Sequence, residues 1–138
     1  MNPTLLLREA TVQDIQLELL RRAQWNALDG ERVVASLLQH RDLWIAALLD
    51  RPGVPNYSEP SHLLMMGLIK LRDLPDNFWN ADTLYLLTET SDQAARLASI
   101  IESEDWGGEV HLHDDRVAID RALGTGRDDY GLISVWWD

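Results

Sequence analysis

Three segments decide the fold: TLYLLTE at residues 83–89, EVHLHDD at 109–115 and YGLISVWWD at 130–138. Residues 83–87 are apolar at both phases of a two-residue period, with Leu84 and Leu86 on one side and Tyr85 and Leu87 on the other. That is the pattern of a strand covered on both faces. Residues 110–113 alternate instead: Val110 and Leu112 point one way, His111 and His113 the other. Alternation suits an edge strand with one less apolar face. Residues 130–137 are β-rich and apolar at both phases again.

The spacers between these segments read as helices. Thr90 and Gln93 have capping-box spacing, and Ala94, Ala95, Leu97, Ala98, Ile100 and Ile101 make an inward stripe. Trp106-Gly107-Gly108 turns the chain. Asp114 or Asp115 opens a second helix carrying Val117, Ala118, Ala122 and Leu123, and Gly124 takes its left-handed C-terminal position. Helical connections commonly join parallel strands through right-handed crossovers. The expected fold is therefore α/β: three N-terminal helices, then a βαβαβ unit forming a small three-stranded, mainly parallel sheet of order 2-1-3. The strand at residue 83 would be its middle strand.

The rest of the chain supplies cover for that sheet. A length of 138 residues suits one domain. We divide it into a lead-in (1–10), a helical part (11–73) and the βαβαβ part (83–138). Thr11 with Asp14 opens the first helix, whose apolar face uses Ile15, Leu19, Leu20 and Ala23, and Asp29-Gly30 stops it. Asp29 caps a second helix expected to run to about residue 50 through Val33, Val34, Leu37, Leu38, Trp44 and Ala47. So short a turn predicts an antiparallel helical hairpin. Residues 51–56, RPGVPN, break the chain, and Ser58 or Ser61 caps a third helix rich in Leu and Met. Residues 73–82 lead into the first strand and carry Phe78 and Trp79, which would either lid the core or face outward.

Composition excludes several functions. The chain has no Cys, so disulfides, thiolate metal sites and Cys nucleophiles are ruled out. No stretch reaches the roughly 18 apolar residues of a membrane span. The Leu5–Leu7 run is too short for the core of a signal peptide. A cytoplasmic protein is the expectation. Twelve bases face 23 acids, a net charge of −11. The excess is concentrated in residues 70–138, which hold six bases against fifteen acids. A field of that sign repels phosphates and anionic lipid, so nucleic acid and membranes are poor partners and a basic protein is a good one. A helix-turn-helix reader is excluded by the same argument, because the second helix opens with Asp29 and Glu31.

Candidate chemistry is sparse. In a parallel sheet one rim would gather Glu89, Thr90, His113, Asp114, Asp115 and Asp138, although Thr90, Asp114 and Asp115 are also explained as helix caps. His111-x-His113 is the single metal-like spacing, since residues i and i+2 of a strand share a face. The ordinary alternative is a solvated or hydrogen-bonded pair. Gly124-Thr125-Gly126 lacks the spacing and the Lys of a phosphate loop, and no Gly-x-Ser-x-Gly elbow exists. With no catalytic signature, the chain reads as a non-enzymatic protein-binding or regulatory module of the immunity type, docking a basic partner. Trp79, Trp106 and Trp136 are its candidate interface aromatics, and no cofactor is required. The alternative is a metal-binding protein or metal-dependent enzyme built on His111 and His113. Self-association through the tryptophan-rich last strand is compatible with either.

Overall fold

The computed structural model describes residues 4–25, 27–49, 82–124, 126 and 129–137. The expected third helix, Phe78, Trp79 and Asp138 lie outside the described residues. The elements in chain order are α1 (Val12–Arg21), β1 (Gln24–Trp25), β2 (Leu28–Asp29), α2 (Gly30–Gln39), β3 (Ala46–Leu48), β4 (Thr83–Thr88), α3 (Ser91–Glu104), β5 (Glu109–His113), α4 (Arg116–Leu123) and β6 (Gly131–Trp136).

Local signals place most helix ends. Thr11 and Asp14 close the full capping box on α1. Asp29 caps α2 by accepting from the Arg32 N–H, and Asp115 caps α4 by accepting from the Ala118 N–H. Gly124 ends α4 in the left-handed region at φ 63°. At α3 the Thr90 hydroxyl accepts from the Gln93 N–H, while the Gln93 side chain takes the Glu89 N–H rather than that of Thr90.

Two expectations about the helical part are corrected. The first helix stops at Arg21, not at residue 29, and a tight β1–β2 hairpin leads into α2. A close crossing explains the sharp entry: a Cβ at Gly30 would lie 2.0 Å from the Leu20 carbonyl oxygen. The second helix stops at Gln39, and the apolar run that follows becomes β3, not more helix. Tertiary pairing overrides local period here. The Ile45 N–H donates to the Leu87 carbonyl at 2.8 Å, and β3 then pairs antiparallel with β4. Its outer edge is closed by α1. The Gln13 side chain donates to the Ala47 carbonyl at 3.0 Å and accepts from the Ala47 N–H at 2.8 Å, standing in for a neighbouring strand.

The sheet itself overturns the expected topology. It has four strands in the order β3-β4-β6-β5, and every neighbouring pair is antiparallel. It is neither three-stranded nor mainly parallel, and the order 2-1-3 is wrong. The crossover argument holds for half of the unit. β4 and β5 both run antiparallel to β6, so they share a direction, and α3 connects them across the gap. β6 then returns between them, a split βαβ arrangement. The reason lies in helix length. Fourteen residues of α3 span about 21 Å, the length of a six-residue strand, whereas eight residues of α4 reach only about 12 Å. The chain leaves the sheet at His113 and re-enters beside it, where Leu132 pairs with His113. α4 is thus an excursion over one face and not a crossover.

Helices α1, α2 and α3 cover one face of the sheet. Leu84, Leu86, Ile133, Val135 and Ala47 meet Leu20, Val33, Leu37, Ala94, Leu97 and Ile101 in the main core. Three tryptophans, Trp44, Trp106 and Trp137, are built into it. Trp44 donates its ring N–H to the Leu37 carbonyl at 2.8 Å, and Trp137 donates to the Trp106 carbonyl at 2.9 Å. The opposite face carries a smaller cluster, in which Tyr85 and Leu132 pack under Ile119 of α4.

Candidate functional site on the half-covered sheet face

The pairing register fixes what the second face displays. Directly paired residues share a face. One rung is Glu109–Trp136–Thr83, the next is His111–Ser134–Tyr85, and the third is His113–Leu132–Leu87. α4 packs over Tyr85 and Leu132 but leaves the Glu109–His111 part of β5 and the Trp136 end open. Glu109 and His111 are exposed there, and Trp136 keeps 41 % of its surface in solvent.

The two histidines meet as their spacing requires. Their ring centroids are 4.5 Å apart in an edge-to-face arrangement with an interplanar angle of 78°. His113 is the buried member. Its Nε2 lies 3.0 Å from the Ser134 hydroxyl, and its ring lies 6.2 Å from that of Tyr85. Burial, reinforced by the neighbouring His111 charge and opposed by Asp114, pushes the His113 imidazolium down to a pKa of about 4. His113 is therefore a neutral imidazole at neutral pH. Among the described residues no group of three His, Asp or Glu side chains is placed to hold a metal ion.

The expected rim survives in part. Because β4 and β5 share a direction, Glu89 and Thr90 lie at the same end of the sheet as His113, Asp114 and Asp115. Arg116 bridges the two helix starts there by donating to the Ser91 hydroxyl at 2.5 Å. Thr90 and Asp115 are engaged as helix caps, while Glu89 and Asp114 face solvent. The last strand does not run to that rim. β6 ends at the opposite rim, where the Trp137 N–H donates to the Asp82 carbonyl. Asp138, next in the chain, lies outside the described residues.

The candidate aromatics separate cleanly. Trp106 belongs to the core at 3 % exposure, so it is unavailable as a surface anchor. Its ring N–H donates to Glu104 Oε2 at 3.2 Å. The room for this corner comes from Gly108, where a Cβ would lie 2.9 Å from the Trp137 ring. Trp136 is the exposed aromatic, and Trp79 lies outside the described residues.

Sequence reasoning missed the polar cluster around Glu104. Its carboxylate accepts from the Ser36 hydroxyl and from Trp106, and lies 3.2 Å from His40 Nε2. Hydrogen bonding from Ser36, helped by Trp106 and His40, holds the Glu104 carboxyl below its usual range. Arg32 adds bonds to the Glu104 and Asp105 carbonyls at the end of α3. The four-residue spacing of Ser36, on α2, and His40, just past its end, was the available signal. These are the residue types of a nucleophilic triad in the wrong order. The carboxylate stands between hydroxyl and imidazole, so His40 cannot take the Ser36 proton. The cluster instead clamps α2 to the end of α3.

Compared with protein families, curated proteins and solved structures, the chain matches none. Among the described residues no helix is long and apolar enough to cross a membrane.

Proposed function

We propose that the chain is a non-catalytic binding module, of a regulatory or immunity type, that docks a basic protein partner on the open end of the second sheet face. One observation carries this reading: an exposed tryptophan, Trp136, lies on the same rung as the exposed Glu109, with the exposed Asp82 beside the next position. A large exposed ring with a carboxylate on its rung suits an arginine- or lysine-bearing surface, the ring giving buried area and the acid giving steering. The net charge of −11 extends the same preference over the whole molecule. β6 has both hydrogen-bonding edges occupied by β4 and β5, so any association through this strand uses its face rather than its edge.

The test is affinity capture from the native host with wild type, Trp136→Ala and Glu109→Lys, followed by reconstitution with the purified captured protein. A basic partner should bind wild type, weaken on added salt, and lose at least roughly 30-fold in affinity with Trp136→Ala. A captured partner indifferent to both substitutions would place the interface elsewhere and overturn the proposal.

A further inference from the structure

We propose that His111 and His113 together bind one divalent transition ion of the Cu(II), Ni(II) or Zn(II) class on the open half of this sheet face. The site does not depend on the docking reading, because it involves neither Trp136 nor a protein partner. Its basis is geometric. The two side chains leave β5 on the same face, two residues apart, and their ring centroids are 4.5 Å apart. Two imidazoles held on one ion at metal–nitrogen distances of about 2.0–2.1 Å, with an angle between roughly 90° and 110°, place their centroids at roughly 4.5–5.2 Å. The strand thus presents the rings at a chelating separation.

The two rings are held differently. The His113 ring stacks near that of Tyr85, and its Nε2 lies 3.0 Å from the Ser134 hydroxyl, so Nδ1 is the ring nitrogen left for an ion. A hydrogen bond on the far ring nitrogen is the usual way a metal-ligating imidazole is oriented. His111 is exposed and makes no hydrogen bond among the described residues, so turning its ring toward a shared ion breaks no hydrogen bond. The described residues supply no third protein ligand, so water fills the remaining positions. An open site of two nitrogens ranks ions by their intrinsic preference for imidazole, with Cu(II) ahead of Ni(II) and Zn(II). The acidic surface raises the local concentration of any cation.

The experiment is titration of the full chain with CuCl₂, NiCl₂ and ZnCl₂ in a non-coordinating buffer at neutral pH, read by calorimetry and, for copper, by electron paramagnetic resonance. Wild type should take up one Cu(II) per chain with two nitrogen ligands in the spectrum. His111→Ala, at an exposed position, should keep the fold by circular dichroism, weaken binding at least tenfold and lose one nitrogen. His40→Gln should leave binding unchanged. No saturable uptake by wild type, or the same affinity and spectrum in His111→Ala, would overturn the site.

Discussion

The face of the sheet under α1, α2 and α3 and the face under α4 are built from the same strands, yet they bury very different things. On the first, Leu84, Leu86, Ile133 and Val135 meet three helices, and almost every side chain is apolar. On the second, one short helix covers Tyr85 and Leu132 while Glu109, His111 and Trp136 remain in solvent. Alternation along a strand lets one backbone serve both purposes. The first face holds the fold together and tolerates little change. The second can vary its polar groups, and both proposed activities sit there for that reason.

The sharpest way to break this contrast is to remove a side chain from the covered face. Leu86 is fully buried between α-helical neighbours and its strand partners Ile133 and Ala47. Leu86→Ala should cost about 2–5 kcal/mol, read as a shifted midpoint in urea with little change in slope. Leu112, paired with the same Ile133 but 42 % exposed at the edge, should lose less than about 1 kcal/mol on truncation to Ala. Equal losses at the two positions would show that the β5 edge is better covered than its exposure indicates.

A smaller effect separates the faces by pH. His113 ordinarily titrates at 6.5 and is depressed to about 4 in the fold. As pH falls, the unfolded chain takes up this proton first, so the folded state loses stability between about 6.5 and 4. Above 6.5 the contribution is fully present. The loss should be on the order of 2 kcal/mol once partial solvent screening is allowed for. Carboxylates on the covered side act lower. Hydrogen bonding from Arg21 and Arg22 holds Glu18 down to about 2, and Glu104 is also lowered, so their contributions persist above 4.5 and fade below it. His113→Gln should therefore flatten the upper window alone, measured by urea unfolding at pH 7, 5.5 and 4.5. An unchanged pH profile would mean that His113 is solvated in the folded state.

The covered face was the more legible one. Leu84 and Leu86, the Ala94, Leu97, Ala98 and Ile101 positions of the α3 stripe, though not its exposed Ala95, and the caps at Thr11, Asp29, Thr90 and Asp115 follow from period and local hydrogen bonding, which a linear sequence records directly. Strand direction is not so recorded. It turned on α4 being too short to cross a strand, a signal present in the spacing of Asp115 and Gly124 but outweighed by the helical pattern between them. β3 was hidden for a related reason: residues 44–49 have no helix-breaking residue, and the Gln13 side chain that completes their pairing lies far away in sequence. On the second face the His111–His113 juxtaposition needed only the two-residue period. That Trp106 is buried depended on its bond to Glu104 and on the Trp137 ring N–H donating to its carbonyl, which no pattern within 130–137 reveals.

The smallest expected effect sharpens the comparison most, because it asks whether the open face contributes to stability at all. Trp136 is the largest side chain there, and its rung partners are Glu109 and Thr83 rather than apolar residues. Truncating a ring left 41 % exposed opens no enclosed cavity, because solvent reaches the space it vacates. Trp136→Ala should therefore cost less than about 1 kcal/mol in urea unfolding, well below Leu86→Ala. The same substitution is expected to abolish partner capture, and that pairing of a large binding loss with a small stability loss is the signature of a surface anchor. A loss comparable to that of Leu86→Ala would instead make Trp136 part of the core, and its effect on any partner would then be indirect.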